Sequence, residues 1–412
     1  PAISVSVAGA YEVRDLSIGD SLKGVLVDRA EGCRFEWVSV AGGEVGFFVE
    51  ASRNTHCRHS VARNAGGYGI FSASSSNTIW SSGVLWSNRI AIRQLLSTNY
   101  PGSEISSLGV SNSIFGVFAP TGLAYWVDVG TVVGAYTDFL VSSNAYVAQA
   151  PNTNGQVPRL FENVSRRGRD YGIERHSLSH DPGFADPAHA DFHLKSSAGR
   201  YQISTGTFVT DAVSSVLLDA GNPAHAFADE PSPNGDRLNI GLYGHSAYAS
   251  MTPTDAVLTA VALNDGGRAE GGSYPLYWIA GGPVTAQTVR LEFSADGGVT
   301  WTNIATNIPG STTTYSWDTT LFSSTLQGLW KVTWEGSPAV YDVCDHRFSV
   351  RNTAFTFYVN DAATNGDVYC QVAGHVTNSG LSAVQPKDSL QGLLGAWDVE
   401  SGDRVYVDTG RY

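Results

Sequence analysis

Short runs of alternating apolar and polar residues fill the first 150 positions and return at nearly regular intervals. One series contains Cys33, Cys57, Ile79 and Ile105, which lie 24, 22 and 26 residues apart. A second series, in step with the first, contains residues 46–48, 69–71, 91–92 and 115–117. Gly, Asn and Ser corners separate the runs. This period predicts a solenoid, whose coils bury apolar faces only against neighbouring coils. β-branched and aromatic positions without a leucine-rich consensus favour a parallel β-helix.

A different alternation runs from Thr252 to Asn352. Residues 289–294 alternate, 295–298 form a turn signal, and the strand pattern resumes at 299–301. Further strand patterns follow at intervals that are typical of a β-sandwich. In one of them Trp330 and Trp334 share a face, four residues apart, which predicts an inward-facing side.

The last segment combines a helix pattern with a strand pattern. Leu390, Leu393, Leu394 and Trp397 fall at i, i+3, i+4 and i+7, which predicts one apolar helical stripe. Pro386 precedes this stripe and Gly402 follows it. Residues 405–407 then predict a strand. At the other end, Ile3, Val5 and Val7 alternate with small residues and no start signal precedes them.

Composition narrows the classes of protein and partner. A chain of 412 residues with 45 Gly and a single Met favours two or three domains of short strands and tight turns. The net charge of −13 disfavours nucleic acid and anionic membranes as partners. No apolar run approaches the ~20 residues that a membrane-spanning helix needs.

Two groups of motifs resemble bacterial right-handed parallel β-helix repeat proteins of the giant exported, surface type. Residues 180–194 and 215–244 resemble the closing coils of that family. Residues 357–361, 380–382, 386–387 and 402–407 resemble its opening segment, in which a short helix and a first strand cap the N-terminal end. The sandwich region resembles the Ig-like or fibronectin-like modules of bacterial surface proteins. The resemblance implies an all-β chain. Its expected order is the C-terminal part of a β-helix with closing coils (1–250), an Ig-like sandwich (252–352) and the cap of a further β-helix (353–412).

This order, with the end of one β-helix before the start of the next, predicts one period of a longer array or a subunit that joins head to tail. The partner would be another copy or the next unit of a tandem chain, outside the cell or on its surface. The residues expected to mediate self-assembly are Ile3, Val5, Val7, Leu390, Leu393, Leu394, Trp397, Val405 and Val407.

The four cysteines match no metal or redox motif. Cys33 and Cys57 occupy equivalent positions in the first series, and neighbouring parallel strands lie about 4.8 Å apart. Either a disulfide between coils or a stack of buried thiols fits this spacing, and sequence leaves both open.

The densest ionisable cluster contains Asp181, Asp186 and Asp191 among several histidines. Calcium prefers oxygen ligands, so these three residues are the candidate Ca²⁺ ligands. Asp also caps polar turns, and that interpretation needs no cofactor. We expect no other cofactor.

No residue is assigned a catalytic role. A polysaccharide lyase would use arginines such as Arg58, Arg63, Arg89 or Arg93, yet no matching series of acidic residues accompanies them in 72–118. The main expectation is therefore a structural unit of a fibre, surface layer or adhesive stalk. The alternative is a polysaccharide-binding or polysaccharide-degrading module, which rests on fold analogy.

Overall fold

Three strands per coil build a parallel β-solenoid of about six turns. The computed structural model describes residues 1–6, 10–96, 107–128, 131–142, 145–150, 159–161, 164–165, 174, 176–397 and 399–411. The first face contains β1 (Ile3–Ser6), β3 (Lys23–Asp28), β5 (Val45–Glu50), β8 (Tyr68–Ala73), β11 (Ile90–Leu95), β14 (Leu123–Val127) and β17 (Tyr146–Ala150). A short strand, β18 (Arg159–Phe161), pairs antiparallel with β17. The predicted parallel β-solenoid is confirmed.

Two long strands, β2 (Glu12–Gly19) and β4 (Arg34–Ala41), begin the other two faces. The second face continues with β6 (His56–Arg58), β9 (Thr78–Ser81), β12 (Ser107–Ser111) and β15 (Thr131–Ala135). The third continues with β7 (Val61–Arg63), β10 (Val84–Trp86), β13 (Ile114–Val117) and β16 (Asp138–Val141). The faces diverge because β4 pairs with β6 through its first half and with β7 through its second half.

The corner between these two faces needs one residue per coil in the left-handed region. Trp37, His59, Ser82, Asn112 and Tyr136 take this position, with φ between +46° and +58°. Such a backbone is costly for bulky residues. Side-chain packing compensates at the first two coils, where the Trp37 and His59 rings stack at 4.5 Å.

Inward side chains form continuous apolar columns. One column on the third face runs through Val40, Ala62, Leu85, Phe115 and Phe139, all of them buried. Each residue therefore loses solvent contact only because the coils above and below are present, as expected of a solenoid.

The segment after the coils differs from the expected closing coils. It contains two antiparallel hairpins, β19 (Phe184–Asp186) with β20 (Asp191–Leu194) and β21 (Arg200–Gln202) with β22 (Thr207–Val209), followed by turns. A 3₁₀ turn, Pro187–His189, joins the first two strands. Its apolar residues pack on the outer side of the third face, against Val61, Val84 and Ile114. This segment, 176–251, is called the flank below.

Two facing sheets with one shared core follow the flank. The smaller sheet contains β23 (Val257–Ala260), β25 (Ser273–Gly281) and β28 (Thr314–Asp318). The larger contains β24 (Arg268–Glu270), β26 (Thr288–Ser294), β27 (Thr302–Pro309), β29 (Thr325–Trp334), β30 (Tyr341–Val343) and β31 (Phe348–Arg351). Two 3₁₀ turns, Gly282–Ala286 and Thr319–Leu321, connect strands. Trp317 and Trp330 are fully buried between the sheets, whereas Trp334 is only partly buried. The Ig-like assignment of this sandwich stays a prediction.

The final segment is small and separate from the sandwich core. β32 (Thr356–Val359) pairs in parallel with β33 (Arg404–Val407), and the helix α1 (Leu390–Ala396) lies between them in sequence. Ser389 caps α1 through its Oγ, which accepts a hydrogen bond from the Gly392 N–H at 3.0 Å. Residues 353–411 are called the cap segment below.

Candidate functional site

The cap segment has a three-residue core that fixes its two strands against α1. Phe357, Val359 and Leu393 have no exposed surface and pack together. Val405 packs against this cluster from β33 but stays half-buried. The core is therefore closed on the side of β32 and open on the side of β33.

The backbone of β33 presents an open edge. The Arg404 N–H donates to the Phe355 carbonyl at 2.9 Å, and the Asp408 N–H donates to the Val359 carbonyl at 3.0 Å. Because successive residues of a strand face opposite sides, Val405 and Val407 direct their backbone groups away from β32. No strand among the described residues pairs with that edge.

Exposed apolar side chains are frequent in the cap segment. Twenty large hydrophobic residues of the described chain are exposed, and eight of them lie between Val368 and Val407, a stretch of 40 residues. The eight are Val368, Tyr369, Val372, Val376, Val384, Leu390, Leu394 and Val407. Exposed apolar groups on a protein surface are typical of interaction sites when they cluster, which makes the cap segment the candidate interaction surface.

Backbone hydrogen bonds to one carboxylate hold the loop beside β33. Asp408 accepts N–H groups from Val368 at 2.6 Å, Tyr369 at 2.8 Å and Cys370 at 2.6 Å. Desolvation acts to raise the pKa of Asp408, but these hydrogen bonds outweigh it and lower the pKa to about 2. The carboxylate is thus ionised at neutral pH, and the loop that bears Val368 and Tyr369 is positioned by it.

Two ion pairs join the cap segment to the sandwich. Arg351 Nη1 lies 2.7 Å from Asp403 Oδ2, and Arg268 Nη1 lies 2.9 Å from Glu400 Oε2. A polar cavity of about 400 Å³ lies between them, with Asn352 on the sandwich side and Ser401 on the cap side. All four side chains are largely buried, so two shielded ion pairs link the segment that leads into β33 to the sandwich.

The first coil of the solenoid has open edges as well. β1 pairs with β3 and β2 pairs with β4, and neither has a second partner among the described strands. Ile3, Val13 and Leu16 are partly buried and pack against the coil core at the first coil. Val7, which the sequence also predicts to take part in assembly, lies outside the described residues.

The structure divides the predicted helical stripe between core and surface. Leu393 is fully buried, and Trp397 is partly buried with its Nε1–H donated to the Ser379 carbonyl at 2.6 Å. Leu390 and Leu394 are exposed. The stripe is therefore not one buried face, because α1 ends at Ala396 and only one of its sides meets β32.

The three candidate calcium ligands serve separate turns. Asp181 accepts the Gly183 N–H at 2.9 Å, Asp186 accepts His189 Nδ1 at 2.7 Å, and Asp191 contacts His193 Nδ1 at 2.6 Å. The described residues contain no group of three metal-ligating side chains. The structure does not bring these carboxylates together, and calcium binding stays an untested prediction.

The register places Cys57 opposite Phe35, not opposite Cys33. The coil repeat at this point is therefore 22 residues, two fewer than the spacing of the cysteines. Both thiols are buried, and their sulfur atoms are not joined in the structure. Burial raises the pKa of both, so neither is an activated thiolate.

Sequence reasoning missed three buried carboxyl groups that organise the flank. Glu230 accepts N–H groups from Asn239 at 3.0 Å and His245 at 2.7 Å, and burial raises its pKa to about 7. Asp219 accepts the Thr252 hydroxyl at 2.7 Å, and burial raises its pKa to about 7 as well. One feature of the sequence could have revealed a buried carboxyl group, because Asp219 interrupts the otherwise apolar run 217–220.

The third group, Asp138, joins the coils to the flank. It has no exposed surface, and its Oδ1 accepts the His180 N–H at 3.0 Å. Burial raises its pKa to about 8. Glu230, Asp219 and Asp138 thus accept hydrogen bonds from turns that are not part of any β-sheet. We therefore assign them a structural role and not that of solvent-accessible acid–base groups.

No protein-family profile, curated protein or solved structure matches this chain. Among the described residues, no helix has the length and apolar character needed to cross a membrane. The functional argument therefore depends on the geometry of the molecule.

Proposed function

We propose that this chain is a structural unit of an extracellular bacterial fibre, surface layer or adhesive stalk. Units would assemble head to tail by completing a split β-helix. The observation that carries the proposal is the open edge of β33 in a segment rich in exposed apolar side chains, together with the open edges of β1 and β2 at the first coil of the solenoid. Open parallel edges are templates for strand addition.

The two ends differ, so the contact between copies is heterologous. Such a contact produces a filament unless the rotation between copies closes a ring. The ion pairs Arg351–Asp403 and Arg268–Glu400 hold the cap segment at a fixed angle to the sandwich. A fixed angle at every unit favours a regular filament over a flexible string of domains.

Electron microscopy of the protein at several concentrations tests this proposal. We expect filaments whose axial repeat equals the length of one unit. A Val407→Glu variant should abolish them, because a carboxylate would replace an exposed apolar group at the open edge. The matched control is Val299→Glu, at a valine of the sandwich that is 80% exposed and distant in sequence from both edges.

Filaments in Val407→Glu would contradict the role of the cap edge. Monodisperse particles of the unmodified protein at every concentration would contradict assembly between separate chains. In that case the open edges would be filled by further coils of one covalent tandem protein.

Polysaccharide binding is a second candidate, favoured by the outer side of the first face. The register aligns Phe48, Phe71, Arg93 and Trp126, one from each successive coil. The Arg93 guanidinium lies 3.7 Å from the Trp126 ring centroid, and the Phe48 and Phe71 rings stack at 4.7 Å. Planar side chains in a row suit the apolar faces of sugar rings.

Affinity electrophoresis in gels that contain polysaccharide tests the second candidate. Trp126→Ala should reduce the retardation of the protein, whereas Trp301→Ala in the sandwich, another tryptophan that faces a cation, should not. Polysaccharide binding would be excluded if the protein migrated equally fast in gels with and without each polysaccharide.

A further inference from the structure

The open edge of β33 exposes the backbone of residues whose side chains face the core. Val405 packs against the buried cluster of the cap segment, and Val407 points to the same side of the strand two residues later. The N–H groups of Arg404 and Asp408 bond to β32, so the N–H and C=O groups of Val405 and Val407 point away from it. In a parallel pair, such residues lie opposite residues whose own backbone groups point away from the partner. β33 therefore needs a partner whose inward-facing residues direct their backbone groups to the other side.

β2 meets this requirement in its second half. The Asp20 N–H donates to the Ala41 carbonyl at 2.9 Å, so the backbone of Ile18, two residues earlier, also points toward β4. Ser17 and Gly19 consequently direct their N–H and C=O groups to the side that no described strand covers. The inward-facing residues in this half of β2 thus bond to β4, and its outward-facing residues form the open edge.

The side chains of this half of β2 also match those of β33. Ile18 belongs to the coil core and Leu16 packs against it, whereas Ser17 and Gly19 are exposed. A Cβ at Gly19 would meet nothing within 4 Å, so the outer side of the strand has open space. These small outward residues leave room for the Tyr406 ring of a neighbouring strand.

We propose that β33 of one copy pairs in parallel with the second half of β2 of a second copy, with Val405 opposite Leu16 and Val407 opposite Ile18. This inference rests on the proposed head-to-tail assembly and names the strands and the register that carry it. The apolar side of β33 would then continue into the coil core of the second copy. Val407, which is 41% exposed, would become covered.

The pairing gives hydrogen-bond partners to backbone groups at both open edges. The Ser17 N–H would donate to the Val405 carbonyl, and the Ser17 carbonyl would accept the Val407 N–H. The Gly19 N–H would donate to the Val407 carbonyl. Three bonds in succession correspond to an ordinary short parallel ladder.

Charge and polarity favour this register over its neighbours. A slip of one residue would turn the valines of β33 away from the core. A slip of two would place one of these valines opposite Asp20 or Arg14, which are exposed charged residues. In the proposed register, Arg404 lies opposite Asp15 and both are exposed, so opposite charges meet at the rim of the contact.

Disulfide trapping between two singly substituted proteins tests the strands and the register. One protein carries Tyr406→Cys and the other Ser17→Cys, at positions that lie opposite each other on the outer side in the proposed pairing. Parallel strands about 4.8 Å apart bring the two Cα atoms within the range that a disulfide spans. The four native cysteines are buried.

After mild oxidation, we expect a covalent dimer in the mixture and not in either protein alone, as seen by electrophoresis without reductant. Tyr406→Cys with Gly19→Cys is the control for a register shifted by two residues. Tyr406→Cys with Ser4→Cys is the control for pairing with β1, the other open edge of the first coil.

A charge exchange provides a second measurement that leaves Tyr406, which stacks on Tyr369, unchanged. Arg404→Glu and Asp15→Arg each place like charges opposite each other, so each protein alone should self-associate more weakly than the unmodified chain in sedimentation experiments. An equal mixture of the two should regain association, because alternating copies restore opposite charges at every contact. The control mixture contains Glu12→Arg in place of Asp15→Arg, at another exposed acidic residue of β2, and should not regain it.

A dimer that forms preferentially with Gly19→Cys would overturn the register, and one that forms preferentially with Ser4→Cys would overturn the choice of β2. Filaments of the unmodified protein, with no trapped dimer and no recovery in the charge-exchanged mixture, would overturn the pairing of β33 with β2 and leave head-to-tail assembly standing. Absence of filaments, trapped dimers and self-association would overturn the inference together with non-covalent assembly.

Discussion

Arg351 Nη1 and Asp403 Oδ2 lie 2.7 Å apart at the joint between the sandwich and the cap segment, and both side chains are almost fully buried. Asp403 also accepts the N–H groups of Phe355 at 2.8 Å and Glu400 at 3.0 Å. Desolvation opposes ionisation of Asp403, but these hydrogen bonds and Arg351 lower its pKa. One carboxylate thus connects the last strand of the sandwich to both sides of the cap segment.

Removing the arginine should loosen this joint. Arg351→Ala leaves a buried carboxylate without its cation, a change that typically costs about 3 kcal/mol or more. We expect a lower free energy of unfolding by urea and faster proteolysis within 353–411. The control is Arg347→Ala, an exposed arginine four residues away, for which less than about 1 kcal/mol is expected. Equal effects of the two variants would contradict a structural role for the buried pair.

The contribution of three buried carboxyl groups to stability should fall as pH rises from about 4 to about 8, whereas His59, whose pKa burial lowers to about 4, acts in the opposite direction below about pH 6.5. Asp219 and Glu230, with pKa values of about 7, and Asp138, with a pKa of about 8, bind protons more tightly in the folded chain than in the unfolded chain. Their contribution is complete below the unfolded pKa values and is lost as pH rises through the folded ones, at roughly 1.4 kcal/mol per pKa unit. Thermal melting between pH 6.5 and pH 8, above the range in which His59 takes up a proton, measures it, and a melting temperature that rises across that range would contradict it.

Glu230→Gln isolates one part of this pH dependence. The amide oxygen can still accept the N–H groups of Asn239 and His245, but the side chain no longer ionises. We expect the decline in melting temperature between pH 5 and pH 8 to become smaller than in the unmodified protein. An unchanged decline would mean that Glu230 does not titrate in the folded chain within this range. Glu335→Gln, at a half-buried glutamate of the sandwich, should leave the decline unchanged.

Two glycines of the solenoid provide a matched test of coil packing. A Cβ at Gly46 would lie 2.6 Å from the Gly69 carbonyl oxygen and 2.7 Å from Ala62 Cβ, whereas a Cβ at Gly109 would meet nothing within 4 Å. Gly46→Ala should lower the free energy of unfolding by about 1–3 kcal/mol, because the backbone of the next coil must move. Gly109→Ala should be neutral or stabilise by about 0.4–1 kcal/mol. Urea denaturation measures both, and equal destabilisation by the two would contradict the coil spacing.

Adjacent leucines of α1 separate folding from assembly. Leu393→Ala removes a fully buried side chain from the cluster with Phe357 and Val359 and should destabilise the cap segment by about 2–5 kcal/mol. Leu394 is 55% exposed, so Leu394→Ala should leave the free energy of unfolding nearly unchanged and weaken self-association in sedimentation experiments. Self-association that is unaffected by Leu394→Ala would place the contact elsewhere on the cap segment.

The alignment of coils shows how far the repeat could be followed from sequence. The predicted alignment of Phe47, Ile70 and Ile92 agrees with the register of the first face. The next residue in that column is Tyr125, 33 residues beyond Ile92, and not the predicted segment 115–117, which belongs to the third face. A longer connection in one coil moved the pattern to another face, and local periodicity does not reveal where extra residues are inserted.

The same limit applies to the cysteines and to the flank. Cys33 and Cys57 were aligned by their neighbours in sequence, but the hydrogen-bonded register aligns Phe35 with Cys57. The Asp, Pro and Gly residues of the flank predict turns, and the flank does contain turns. Its position on the third face, however, depends on apolar contacts with Val61, Val84 and Ile114. Those contacts join residues more than 60 positions apart in the chain.

The sequence by itself determined the local elements: short alternating strands, a β-rich second region, and a final helix followed by a strand. These follow from side-chain periodicity, which acts over a few residues. Only the tertiary structure decided the register of the coils, the burial of Glu230 and Asp138, and the separation of Leu393 from Leu394. Each of these depends on which distant backbone supplies hydrogen bonds and excludes water. The spacing of apolar and polar residues along the chain does not specify which distant backbone segment does so.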